Sequence, residues 1–189
     1  IHDKGRTLKT ILEHLNDAGY DVVPPQILNA MDFGVPQHRE RIYIIGFRKD
    51  IHVNIKDFHY PEPTTPDGHR PKFKDVMEDH EVSVKYYLST VYMETLKRHK
   101  ARHIAAGHGF GYKIIDINGV SNAIVVGGMG RERNLIIDNR LTNYTPITHI
   151  KGEVNRDGIR KMTPREWARL QGFPDKFKIV VADASAYKQ

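Results

Sequence analysis

Leu8, Ile11, Leu12, Leu15 and Ala18 recur at three- and four-residue intervals, the spacing of one face of a helix over 5–18, and Gly19 supplies its stop. A strand-like stretch over 21–30 follows, interrupted by Pro24-Pro25. Residues 41–47, Arg-Ile-Tyr-Ile-Ile-Gly-Phe, form a nearly unbroken apolar run bounded by charge, which is the pattern of a strand buried on both faces. Helix, strand, loop and buried strand in this order predict the tail of an open, mostly parallel α/β sheet. The texture changes after Asp50. Pro61, Pro63, Pro66, Gly68 and Pro71 make 51–75 an irregular arm. A helix is predicted over 90–106, ending at Gly107. Short strands over 112–117 and 121–126 flank Asn118-Gly119, a strong hairpin signal. A glycine-rich segment at 127–130 and a strand over 134–138 come next. Thr163-Pro164-Arg165-Glu166 is a capping box with proline at the first helical position, and Gly172 and Pro174 close the helix it opens.

Composition narrows the chemistry. Among 189 residues, hydrophobic types make up 39%, enough for a packed core. Lys and Arg number 29 against 23 Asp and Glu, a net charge of +6, which modestly favours a polyanionic partner. There is no cysteine, so thiol nucleophiles, zinc-thiolate sites and disulfides are excluded for this chain. No apolar run approaches the roughly 18 residues of a membrane helix, and residues 1–20 lack the apolar centre of a signal peptide. His99 and His103 stand four apart, but no Glu follows His99 as in a zinc helix, so no metal site is expected. Ile1 and the abrupt end at Gln189 lead us to expect both termini to be interior to a longer polypeptide.

Two constellations carry chemistry. In Pro36-Gln37-His38-Arg39-Glu40-Arg41-Ile42-Tyr43, two arginines two apart at the entry to a strand point to one side. Their guanidinium forks never deprotonate and can donate to a carbonyl or a phosphate. The second is 160–175, Arg-Lys-Met-Thr-Pro-Arg-Glu-Trp-Ala-Arg-Leu-Gln-Gly-Phe-Pro-Asp, a capped basic helix in which Trp167 and Phe173 are expected as core anchors. Between them, Gly127, Gly128 and Gly130 permit close backbone approach to a ligand, and Arg131 and Arg133 offer forks for guanine or phosphate. A plain flexible hairpin is the alternative. Lys97 and Arg98 open a basic helical stretch suited to phosphates, or to a solvated face.

Phe33-Gly34-Val35-Pro36-Gln37-His38-Arg39-Glu40-Arg41 and the 160–175 string both resemble signatures of the DNA cytosine-5 methyltransferases, and they stand in that family's order. The resemblance implies an α/β fold: part of an S-adenosylmethionine-dependent methyltransferase sheet plus a mainly β target-recognition lobe. It divides the chain into a catalytic-lobe part (1–50), a target-recognition domain (51–156) and a return segment to the catalytic lobe (157–189). It implies that Arg41 contacts O2 of a cytosine swung out of the duplex, that Arg39 contributes to the same pocket, and that Gln37 begins that element. It also implies DNA contacts from Gly127, Gly128, Gly130, Arg131, Arg133, Lys97, Arg98 and Arg165. The family's nucleophilic cysteine and glycine-rich cofactor loop are absent from this sequence. S-adenosylmethionine is therefore expected in the full enzyme and not on this chain, which alone should not methylate DNA. The expected partners are double-stranded DNA and the missing amino-terminal catalytic half, with self-association through an uncovered sheet edge and no membrane. A restriction–modification enzyme in the bacterial cytoplasm, at the nucleoid, is the implied setting. A DNA-gripping remnant, one subunit of a split enzyme, and a relative acting on tRNA stand as alternatives.

Overall fold

The structure, a computed structural model, describes residues 2–65, 70–126, 131–147 and 150–188, and for His2 and Arg131 the backbone alone. Gly127, Gly128 and Gly130 lie outside the described residues. The chain packs into two compact units, Ile1–Asn29 with Glu40–Thr64, and Ala30–Arg39 with Thr65–Gln189. The expected recognition region, 51–156, is divided between them.

In the first unit, helix α1 (Arg6–Asp17) packs on strand β1 (Tyr20–Val22). Leu8, Leu12 and Leu15 are half-buried on the predicted face, whereas Ile11 is 40% exposed. Gly19 adopts a positive φ of 85°, and its carbonyl accepts from Lys49 N at 2.9 Å, tying the helix end to the far strand. Strand β2 (Gln26–Asn29) pairs antiparallel with β4 (Glu40–Tyr43), and β1 pairs antiparallel with β5 (Gly46–Arg48). The two ladders are one bent hairpin. Tyr20 faces Arg48 and Val23 N donates to Ile45 O, but Gln26 faces Tyr43, so the first strand carries one extra residue around Pro24-Pro25. Proline cannot donate to a ladder and is tolerated at such a bulge, which also exchanges the faces that side chains point to.

This hairpin corrects two expectations. Strands 21–30 and 41–47 pair with each other antiparallel and not as members of a parallel sheet. The apolar run is also not buried on both faces: Ile42 and Tyr43 are 43 and 45% exposed, and Ile44, Ile45 and Phe47 are half-buried. Each strand has one neighbour, and among the described residues of this unit no second layer lies over β4. Val23 is buried, and an edge-to-face chain of Phe47, Phe58 and Tyr60 runs alongside, ring centroids 5.9 and 5.1 Å apart.

In the second unit, α2 (Thr90–Ala105) is capped by Ser89, which accepts from Tyr92 N at 3.1 Å, and Gly107 at φ 75° follows its end. Its buried Met93 and Leu96 pack with Leu88, Leu135 and Ile159. A second cluster joins Phe73, Ile115, Ile136, Met162, Trp167, Leu170 and Tyr187. Fully buried Ile136 and Leu170 each contribute about 1.5–3 kcal/mol to such a core. Strand β3 (Gln37–His38) runs parallel to β6 (Ser121–Asn122), and β7 (Ile136–Ile137) antiparallel to β8 (Ile159–Arg160). Helix α3 (Pro164–Arg169) carries the predicted reciprocal capping box, and α4 (Asp183–Ala186) ends the described chain.

The hairpin expected at 112–126 is not formed. Its turn is present, with Gly119 N donating to Asp116 O at 3.0 Å. The flanks pair elsewhere: Ile115 N donates to Leu135 O at 2.8 Å, and Ser121 N to Pro36 O at 2.8 Å. The architecture is mixed α/β with small sheets, and among the described residues of 51–156 the strands are limited to β6 and β7.

Candidate functional site

Gln37, on β3, is buried in the second unit, as is its neighbour Pro36. Its side chain is 2% exposed, and both ends of its amide are engaged. Nε2 donates to the Leu170 carbonyl at the end of α3, 2.6 Å away, and Oε1 accepts from Ile124 N at 3.0 Å. Arg39, half-buried, donates through Nη1 to the Ile124 carbonyl at 3.4 Å. The backbone of one residue after β6, Ile124, is thus held at its N–H by Gln37 and at its C=O by Arg39. From the other side, Asn134 Oδ1 accepts from Asn122 N at 2.8 Å, and its Nδ2 donates to Asn122 O at 3.3 Å. These bonds close the base of the segment that contains the glycine-rich residues. Arg41 belongs to the first unit, on β4 opposite Leu28; it is exposed, and its Nη1 donates to Glu40 O.

The second unit also holds a buried ionic knot. Arg160 is fully buried. Its Nε donates to Asp138 Oδ2 at 2.8 Å, and its Nη1 and Nη2 donate to the two oxygens of Glu166 at 2.7 Å each. Glu166 also accepts from Thr163 N at 2.8 Å, completing the capping box, and from Glu78 N at 3.1 Å. Asp138 receives Arg140 as well, at 2.8 Å from both Nε and Nη2. Burial pushes the Asp138 carboxyl up, yet the Arg140 and Arg160 guanidinium groups outweigh it and hold it down at about 2. Burial, with the Asp138 charge, pushes the neighbouring Tyr87 phenol up to about 12. Alongside, Asn155 donates to Leu88 O and Ile159 O at 2.7 and 2.8 Å and accepts from Ile159 N at 2.8 Å.

Four other expected contact residues, Arg165, Lys97, Arg98 and Arg133, are described with their side chains, all in this unit. Arg165, half-buried, donates through Nη2 to Phe177 O at 2.8 Å, and its buried Nη1 has no hydrogen-bond partner among the described residues. Lys97 is exposed and pairs with Glu94 at 2.7 Å, a bond that raises the lysine's pKa. Arg98 is exposed and lies 3.5 Å from Thr95 Oγ1. Arg133 is exposed, and its carbonyl accepts from Asn122 Nδ2 at 3.1 Å. Trp167 is a core residue at 2% exposure, but Phe173 is 42% exposed and lies against Phe177, centroids 4.6 Å apart, because the chain turns outward at Gly172 (φ 80°).

The C-5 cytosine-specific DNA methylase family matches residues 1–189. The chain belongs to this family. Among curated relatives, Type II methyltransferase M.HpaII of Haemophilus parainfluenzae is 64% identical over 189 residues, covering all of this chain and 51% of the relative. Type II methyltransferase M.NlaX of Neisseria lactamica is 40% identical over 190 residues, again over the whole chain, with 53% of the relative covered. The chain spans about half the length of the curated relatives it matches. Among solved structures, the Entamoeba histolytica methyltransferase EhMeth superposes with a TM-score of 0.63 at 15% identity, over 97% of this chain and 52% of that one. The S. pombe Dnmt2 methyltransferase does so at 0.55 and 15%, over 99% and 57%. These two likenesses concern the fold. Among the described residues, no helix is long and apolar enough to cross a membrane.

The methylase signature at 160–175 contains what sequence reasoning passed over. Arg160 opens that string and, read as part of a basic helix, looks like a surface charge. The signal that marks it is its position two residues before buried Met162 and six before the capping-box Glu166, on an element whose other residue, Ile159, is apolar. Asp138 and Asn155 carry no such local signal.

Proposed function

We propose that this chain is the target-recognition part of a DNA cytosine-5 methyltransferase of a restriction–modification system. The observation that carries the reading is the likeness to Type II methyltransferases, which covers the whole chain. Residues 1–50 belong to the catalytic lobe, 51–156 read the DNA, and 157–189 return to the catalytic lobe. Arg41 donates to O2 of a flipped cytosine and stabilises the negative charge that builds on the ring when a thiolate adds to C6, and Arg39 borders the same pocket. That thiolate comes from polypeptide other than this chain, which has no cysteine. S-adenosylmethionine supplies the methyl group in the whole enzyme. The family's glycine-rich cofactor loop is not among these residues, and no part in holding the cofactor is assigned to them. Gly127, Gly128, Gly130, Arg131 and Arg133 approach the bases, and Lys97, Arg98 and Arg165 approach phosphates of double-stranded DNA. The exposed apolar β2–β4 ribbon supports contact with the amino-terminal half, or self-association in its absence. The setting is the bacterial cytoplasm, at the nucleoid.

The test mixes the chain with a separately produced amino-terminal half of M.HpaII and follows labelled methyl groups from S-adenosylmethionine into duplex DNA. Transfer by the mixture and by neither part alone is the expected result. Transfer by this chain alone, or by no combination, overturns the proposal. In the active mixture, Arg41→Ala slows transfer about 10²–10³-fold, the loss expected for one donor aimed at developing charge. The absent cysteine favours one second reading, a grip on DNA without chemistry. Retention of duplex DNA by the chain with no transfer in the mixture supports that instead.

A further inference from the structure

We propose that Gln37 is a positioning residue that sets the register of the recognition segment 121–126, the stretch of chain that precedes the glycine-rich residues. The inference rests on the methyltransferase reading above and deepens it. The ladder between β3 and β6 is two residues long, Gln37 with Ser121 and His38 with Asn122. A ladder this short specifies register weakly, and a slip of one residue turns every side chain to the opposite face. The buried Gln37 amide extends the ladder by bonding Ile124 N at 3.0 Å, and it anchors the clamp to α3 through the Leu170 carbonyl at 2.6 Å. A carboxamide suits both demands, since one end accepts while the other donates. Ile124 is itself 8% exposed, so an unmade bond there leaves a backbone N–H dry and unpaired. With Asn134 holding Asn122 from the far side, the stem of the recognition loop has two fixed points, one of which is the element that carries Arg39. The residue thus ties the segment that runs into Arg39 to the stem of the sequence-reading loop, and its part is to hold position.

The full-length methyltransferase carrying these residues is tested with Gln37→Met, which removes both bonds, and Gln37→Glu, which keeps an acceptor for Ile124 but loses the donor to Leu170. Amide hydrogen exchange is measured across 121–126. Methylation of a random-sequence duplex pool is read by bisulfite sequencing, beside kcat on the preferred site. Gln37→Met should speed exchange in that segment at least tenfold while Trp167 emission stays native. Its discrimination between the preferred site and one-base variants should fall at least tenfold more than kcat does. Gln37→Glu should retain protection at Ile124 and lose less discrimination. A collapse of kcat with discrimination intact overturns the proposal, and so does a variant in which neither exchange nor discrimination moves. If the methionine variant lacks native Trp167 emission, the glutamate variant decides on the same readouts. If the unsubstituted enzyme does not methylate cytosine, the functional reading fails and the exchange data alone judge the clamp.

Discussion

Replacing Arg160 by methionine should unfold the second unit far more easily than any surface change. The substitution keeps length and apolar bulk but removes a cation that is fully buried between two carboxylates. Asp138 keeps its bidentate partner Arg140, so its charge stays compensated. Glu166 keeps only the N–H groups of Thr163 and Glu78. One carboxylate is then left buried without a cation, a situation that costs about 3–5 kcal/mol. With an m-value of about 2 kcal/mol/M, the urea midpoint should move down by about 2 M. The assay has a built-in reporter. Trp167 is the single tryptophan, adjacent to Glu166 and 2% exposed, so its emission follows this core. The double variant Arg160→Met with Glu166→Gln should recover part of the loss, giving a coupling of about 1–3 kcal/mol in the cycle. A single-variant loss below about 1 kcal/mol, or strict additivity in the double, would refute the idea that the arginine neutralises a buried charge.

Three other outcomes are expected. Asp138 is held below its ordinary pKa, so its ionised form stabilises the fold above about pH 4; that stability should be lost as pH falls toward about 2, and Asp138→Asn should flatten this limb of a pH titration of Trp167 emission. Gly158 sits at φ 67°, and a Cβ there would meet the Asp138 carbonyl oxygen at 2.9 Å, so Gly158→Ala should cost about 1–3 kcal/mol by urea titration. If Lys97 and Arg98 lie on phosphates, replacing both by alanine should lower the slope of log K against log salt for duplex binding by about 2, and an unchanged slope would assign them to a solvated face.

The legible parts of the chain are those decided locally. Thr163, Pro164 and Glu166 lie within one turn, and their capping box forms as read. Ser89 and Gly107 likewise bound α2. The hairpin at 112–126 was not legible because residues far away compete for its strands: Ile124 answers to Gln37, 87 positions earlier, and Ile115 to Leu135. The run at 41–47 has the composition of a buried strand, but burial is a property of its neighbours, and among the described residues β2 is the one strand paired with β4. At the site, Gln37 and Arg39 could be picked out by their motif, but which groups the Gln37 amide would bond could not. Arg160 was hidden because its value depends on Asp138, 22 positions away, and a buried charge looks like any other arginine until its partner is in place.

The mutual bonds of Asn122 and Asn134 have an engineering corollary. They staple the two flanks of 125–131 through atoms of Asn122 and Asn134 themselves. That span can therefore serve as an exchangeable cassette: grafts from other Type II relatives, or randomised libraries, could be spliced between the staples while the hydrophobic clusters below keep their composition.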